Sequence, residues 1–198
     1  MPAYKLSTFE QEGSMNLTDI KLLGDLARET PAMTCRGRFP PSEYYSFLYL
    51  LAQAKEPKLS IELGVCGAGA SYHLAKGHPQ GRVIGYDIAL EYPDNVLFVA
   101  KECPNWTFYR YDSCDTARVA PQKVDILFID TVHTFEQTMK EWRAWKPWLA
   151  EGAVVCLDDL DREGMMDAWA EMPEPKMLYP ELHIGGAPTD GNFGIVLL

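Results

Sequence analysis

Several things are missing from this 198-residue chain, and each closes off a class of protein. It has no CxxC pair. Cys35, Cys66, Cys103, Cys114 and Cys156 stand singly, which reads as reduced thiols rather than a disulfide frame or a zinc site. It has no apolar run long enough to cross a bilayer, so no membrane partner is expected. The opening M-P-A-Y-K-L-S-T-F-E lacks a signal-peptide core. With the thiols, this predicts a cytoplasmic protein. Clusters of Lys or Arg are absent too: 18 basic against 28 acidic residues leave a formal net charge of −10, which argues against a nucleic-acid partner. Internal repeats and low-complexity linkers are not found.

What is present is an ordinary globular composition, 47% hydrophobic and 23% charged, in a length that suits one core. From residue 42 onward short apolar runs alternate with helical patterns. Strands are expected at Leu59–Leu63, Arg82–Asp87, Trp106–Tyr109, Val124–Ile129 and Ala153–Leu157. Helices are expected at Ser42–Lys55, Ala70–Lys76, Asp94–Glu102 and Phe135–Lys146. Such alternation predicts an α/β fold, a parallel sheet wound on both faces by helices. Lys176–Tyr179 and Phe193–Leu198, joined by a loop with Gly185, Gly186, Pro188, Asp190 and Gly191, predict an antiparallel pair at the sheet edge. Residues 1–41 form a separate segment with a helix at Thr18–Arg28 and a loop holding Arg36, Gly37, Arg38, Pro40 and Pro41. It reads as a lid, an oligomer contact that would make a homo-oligomer, or packing against the sheet. Residues 42–198 form the main domain.

The densest chemistry lies in S-I-E-L-G-V-C-G-A-G-A-S, Ser60–Ser71. A strand carrying Glu62 runs into a turn of Gly64, Cys66, Gly67 and Gly69 that opens a helix. Glycine allows positive φ and close approach of a ligand to the main chain. A carboxylate ahead of the first glycine would repel a pyrophosphate and attract an ammonium or sulfonium, which points to S-adenosylmethionine rather than NAD. Cys66 reads as a small residue that fits the turn. Asp87 ends the next strand about twenty residues on, where a carboxylate accepts from a ribose diol. Asp112 and Ser113 follow the third strand, where an adenine edge would lie.

After the fourth strand the chain reads D-T-V-H-T-F-E-Q. Thr134 and Gln137 read as a capping box that starts a helix and leaves Asp130 and His133 on the loop before it. The fifth strand ends in Asp158-Asp159. Adjacent strands lie about 4.8 Å apart, so three carboxylates would meet if these strands are neighbours. Either they hold a hard cation, Mg²⁺ or else Mn²⁺ or Ca²⁺, or they cap helices, Asp159 or Asp161 starting one at Arg162–Glu171. His133, with a reference pKa of about 6.5, is the natural general base.

Together these residues resemble class I S-adenosylmethionine-dependent methyltransferases. The resemblance implies a Rossmann-like, doubly wound and mostly parallel sheet with an antiparallel edge. It assigns cofactor contacts to Glu62, Gly64, Cys66, Gly67, Gly69, Asp87, Asp112, Ser113 and Asp130. Within that class, F-I-D-T-V-H-T-F-E-Q followed by V-V-C-L-D-D resembles a metal-dependent O-methyltransferase subgroup that includes catechol and macrolide-sugar enzymes. That likeness implies Mg²⁺ on Asp130, Asp158 and Asp159, His133 in the place of the base, and a small-molecule hydroxyl as acceptor. The chain departs from the pattern at Thr131 and Ala68, where glycine is usual. The alternatives are a protein of this fold that binds or cleaves the cofactor without methylating, and an NAD-dependent oxidoreductase.

Overall fold

The computed structural model of the chain describes residues 14–31, 35, 37–40, 42–119, 121–179 and 193–198. The expected edge loop through Gly185 to Gly191, the opening decapeptide, Arg36 and Pro41 lie outside them. Helices α1 (Leu17–Glu29) and α2 (Glu43–Lys55) precede β1 (Leu59–Leu63) and α3 (Gly69–Gly77). Then come β2 (Arg82–Asp87), α4 (Pro93–Glu102), β3 (Trp106–Arg110), β4 (Val124–Ile129) and α5 (Phe135–Trp145). The chain continues through β5 (Leu149–Leu157), α6 (Met165–Glu171), β6 (Lys176–Tyr179) and β7 (Phe193–Leu197). The strands form one seven-stranded sheet in the order β3-β2-β1-β4-β5-β7-β6. The first five strands run parallel, and β7 pairs antiparallel with both β5 and β6. This is the doubly wound, Rossmann-like sheet with an antiparallel edge that the alternation predicts.

Alternation along each strand divides the side chains between two cores. Ile126 and Phe128 face α1 to α4, where Ile20, Leu23, Phe47, Leu51 and Val99 are buried. Leu127 and Ile129 face the other way, against Trp142 and Trp145 of α5 and Trp169 of α6. The tryptophans are therefore packing residues. Helix α1 presents Ile20, Leu23 and Ala27 inward, and the Tyr179 hydroxyl donates to its Ile20 carbonyl at 2.9 Å. Gly24 leaves the room the Tyr179 ring occupies.

Two boundaries differ from expectation by more than one residue. Strand β5 starts four residues early, at Leu149 rather than Ala153. A register shift between Val124 and Ile126 and the left-handed Gly152 (φ 71°) interrupt the apolar pattern there. Helix α6 starts late, at Met165, after Gly164 with φ 80°. Neither Asp159 nor Asp161 caps it; the Asp159 carbonyl instead accepts from the Arg162 N–H at 3.0 Å.

Candidate active site

At the carboxyl ends of β1, β2, β4 and β5 lies a cleft of about 650 Å³, where open α/β sheets bind ligands. Its first wall is the glycine turn. Gly64 has φ 88°, and a Cβ there would overlap the Asp130 carbonyl oxygen. This approach is fixed by the Asp130 N–H donating to the Leu63 carbonyl at 2.8 Å and the Gly64 N–H to Tyr86 at 2.8 Å. The other two glycines do not carry a positive φ. Left-handed φ falls on Cys66 (44°) and on Ala68 (60°), which caps α3. Gly69 makes room for the ring of Tyr45. Gly67 meets nothing nearer than Asn95 Nδ2 at 3.5 Å, so its open side faces the cleft.

Asp87 is tied to this turn. Its Oδ2 accepts from the Cys66 N–H at 2.9 Å and its Oδ1 from the Ala89 N–H at 2.9 Å. Glu62 is 1% exposed and accepts from the Ser71 hydroxyl. Burial pushes its carboxyl well above the usual range; Ser71 opposes this and the charge of Asp130 adds to it. Partial burial raises the Cys66 thiol as well.

The second wall comes from β3, the loop after β4, and α5. Asp112 is exposed; its Oδ1 accepts from the Cys114 N–H at 2.8 Å, which lowers its pKa, and Lys140 lies 3.5 Å from its Oδ2. Ser113 is buried and donates to Glu141 Oε1 at 2.5 Å. Thr134 caps α5 by accepting from the Gln137 N–H at 3.4 Å. The capping box is only half formed, because the Gln137 side chain turns instead to Ser113 and Glu141, at 3.1 and 2.8 Å. Thr131 Oγ1 donates to Glu141 Oε2 at 3.0 Å.

The rim holds the acids. Ile129 and Leu157 are register partners on β4 and β5, so Asp130 and Asp158 emerge side by side, and the Asp158 N–H donates to the Ile129 carbonyl at 3.1 Å. The strands do gather these carboxylates at one edge. His133 stands among them, Nε2 at 3.0 Å from Asp130 and Nδ1 at 3.6 Å from Asp159. Arg162 Nε reaches Asp159 from outside at 3.2 Å. Burial alone would lower the imidazole pKa, but the Asp130 bond and the charges of Asp130 and Asp159 outweigh it and hold it above 6.5. Asp158 is 5% exposed; burial, with Asp130 and Asp159 beside it, pushes its carboxyl well above the usual range. Both His133 (φ 53°) and Asp159 (φ 52°) sit in the left-handed region, a strain typical of functional loops. Among the described residues no three His, Cys, Asp or Glu side chains converge to hold an ion. His133 fills the gap between Asp130 and Asp159, so a divalent cation could sit on the expected ligands only if the imidazole moved out.

Sequence reasoning missed four contributors. Tyr44 and Tyr45 of α2 line the cleft, although their helical spacing reads as core. Tyr45 stacks on buried His73 at 4.8 Å, and His73 Nδ1 bonds the Gly69 carbonyl at 2.7 Å. Gln137 and Glu141 are the other two. The signal available was a Glu four residues after a Gln on a helix face otherwise facing the core.

The methyltransferase domain family matches residues 61–160. A search of curated proteins finds no match. Among solved structures, cofactor-bound Rv0187 from MTB is 20% identical, covers 91% of this chain and 88% of its own, and has a TM-score of 0.63. An O-methyltransferase from Bacillus cereus in complex with SAH gives 16%, 92%, 90% and 0.64. The O-methyltransferase TomG from Streptomyces achromogenes, involved in tomaymycin synthesis and crystallised with SAM, gives 14%, 96%, 94% and 0.62. At such identities the likeness establishes the fold.

Proposed function

Because the chain belongs to the methyltransferase domain family, which spans just over half of it, we propose that it is an S-adenosylmethionine-dependent O-methyltransferase of a small-molecule hydroxyl. The observation that carries this reading is one cleft with two kinds of wall. A glycine turn braced by Asp87 stands on one side, and an imidazole between two carboxylates on the other. The cofactor is served from both sides: Asp87 for the ribose and Glu62 toward the ammonium on the turn, Asp112 and Ser113 near the base and Asp130 toward the ammonium opposite. Among the described residues the lining has no Lys or Arg to repel a sulfonium. The imidazole side suits proton transfer. Neutral His133 takes the hydroxyl proton, the oxygen forms its bond to the methyl carbon, and the carbon–sulfur bond breaks. The products are a methyl ether, S-adenosylhomocysteine and a proton on His133, whose charge Asp130 and Asp159 stabilise. Positioning the two reactants supplies up to about 7–11 kcal/mol of the barrier in well-oriented cases.

The test is calorimetry with S-adenosylhomocysteine, followed by a methyl-transfer assay over hydroxylated small molecules. His133→Ala should lower kcat by about 10²- to 10⁴-fold and leave cofactor affinity unchanged. Cofactor binding without transfer to any acceptor would favour a binding or cofactor-cleaving protein instead.

A second reading adds Mg²⁺, or Mn²⁺ or Ca²⁺, on Asp130, Asp158 and Asp159. It is favoured by Asp158, buried beside Asp130 with no Lys or Arg ion pair among the described residues. A bound cation would lower the pKa of the acceptor hydroxyl, and His133 would have to leave its place between Asp130 and Asp159. Activity lost in EDTA and restored by MgCl₂ would establish this reading; activity indifferent to EDTA would remove it.

A further inference from the structure

Glu141 does not line the cleft, yet it gathers three side chains that do. Ser113 Oγ, Gln137 Nε2 and Thr131 Oγ1 converge on its carboxylate at 2.5, 2.8 and 3.0 Å. They come from the loop after β3, from α5, and from the loop after β4. Glu141 is 0% exposed, so no water competes for these donors.

This arrangement fixes the orientation of the Gln137 amide. A side-chain amide has two N–H donors and one carbonyl acceptor. Both donors of Gln137 are engaged, one to Glu141 and one to Ser113 Oγ at 3.1 Å. Reversing the amide would set its carbonyl oxygen against the Glu141 carboxylate, two acceptors with no hydrogen between them. Ser113 cannot relieve that clash, because its own hydrogen goes to Glu141. The Gln137 carbonyl oxygen therefore has no donor among the described residues, and Gln137 lines the cleft beside Ser113. A ligand group that meets this oxygen must bring a hydrogen.

We propose that Glu141 locks Gln137 as a hydrogen-bond acceptor that reads the exocyclic amine of a purine, so that the cleft selects an adenine nucleoside over its hypoxanthine counterpart. Adenine carries an amine at position 6, where hypoxanthine carries a carbonyl. Opposite Gln137 the amine donates, whereas the carbonyl would face a second acceptor. The discriminating element lies on α5, away from the Asp112–Ser113 segment in sequence, and Glu141 is its positioning residue. Through Thr131 the same carboxylate also steadies the residue next to Asp130. The inference rests on the cofactor reading above.

The experiment compares S-adenosylhomocysteine with S-inosylhomocysteine by calorimetry on the full chain. The unaltered protein should bind the adenosyl form at least tenfold more tightly. Gln137→Leu, at a half-buried position, should shrink that ratio below threefold by weakening the adenosyl form. Glu141→Gln, which frees the amide to turn, should narrow it by strengthening the inosyl form, with thermal melts confirming that the variant is folded. Equal affinities in the unaltered protein, or a tenfold ratio that survives Gln137→Leu, would overturn the inference while leaving the cofactor reading intact. Binding of neither compound would overturn both.

Discussion

The two walls of the cleft are made by different means. The glycine-turn wall is built from backbone: Gly64 against the Asp130 carbonyl, the Cys66 N–H on Asp87, and Ala68 at the head of α3. Its parts lie within a short stretch plus the ends of two other strands, β2 and β4. The facing wall is built from side chains of separate elements, joined at the buried Glu141. A backbone wall fails wherever a substitution forces a change of local conformation, as an added Cβ at Gly64 would. A side-chain wall should behave in the opposite way, tolerating small backbone adjustment and losing its function residue by residue.

The sharpest way to break that contrast is Gly64→Ala. It combines a left-handed φ with overlap of the Asp130 carbonyl and should cost roughly 3–4 kcal/mol in chemical denaturation. A loss below about 1 kcal/mol would show that the β1–β4 approach is soft. Next is His73, behind the same wall. It is fully buried, and burial lowers its pKa to about 4. The unfolded chain takes up the proton first, near pH 6.5, so stability should drain as pH falls from there toward 4. The total is about 3 kcal/mol for this group. The raised carboxyls of Glu62, Glu141 and Asp158 act in the opposite sense over acidic pH. The readout is therefore the difference between the unaltered protein and His73→Gln, whose stability should fall less steeply across that interval.

Smaller effects sharpen the other side. Thr131→Val keeps the shape and removes one donor to Glu141; it should cost about 1 kcal/mol with the fold unchanged by circular dichroism. The smallest should be Gly67→Ala. With its nearest contact 3.5 Å away, stability should stay within about 0.5 kcal/mol. Any loss should appear in cofactor affinity instead, because the added methyl enters space open to the cleft. A large loss of stability would mean that this turn is as constrained at Gly67 as at Gly64.

How much of this could be read in advance follows the same division. Strands at Leu59–Leu63, Arg82–Asp87 and Val124–Ile129 were readable because continuous apolar runs between turn residues have one meaning in a doubly wound sheet. The meeting of Asp130 with Asp158-Asp159 followed from strand adjacency. Gly64 takes the positive φ that a turn glycine suggests, and Gly67 stays open toward the cleft, but Gly69 is small for another reason, to seat the Tyr45 ring. Whether Gly69 yields to a ligand or to Tyr45 depends on α2, which no local pattern relates to the turn. The Gln137 side chain has two locally sensible partners, its own N-cap and a buried acid one helical turn on. Burial decided, since a fully enclosed Glu141 needs donors more than a solvated helix start does. His133 sitting between Asp130 and Asp159 was hidden for a similar reason, because its left-handed backbone is set by the loop's tertiary surroundings.

Strand β7 is the last one described, yet it lies inside the sheet, hydrogen-bonded to β5 on one side and β6 on the other. On a ribosome, β5 would therefore emerge with an open edge, and β6 with no neighbour to pair with. Both would wait for residues 193–197 to be synthesised. Nascent chains stalled before that point should be protease-sensitive along β5 and β6 and drawn to chaperones, however complete the ligand-facing half already is.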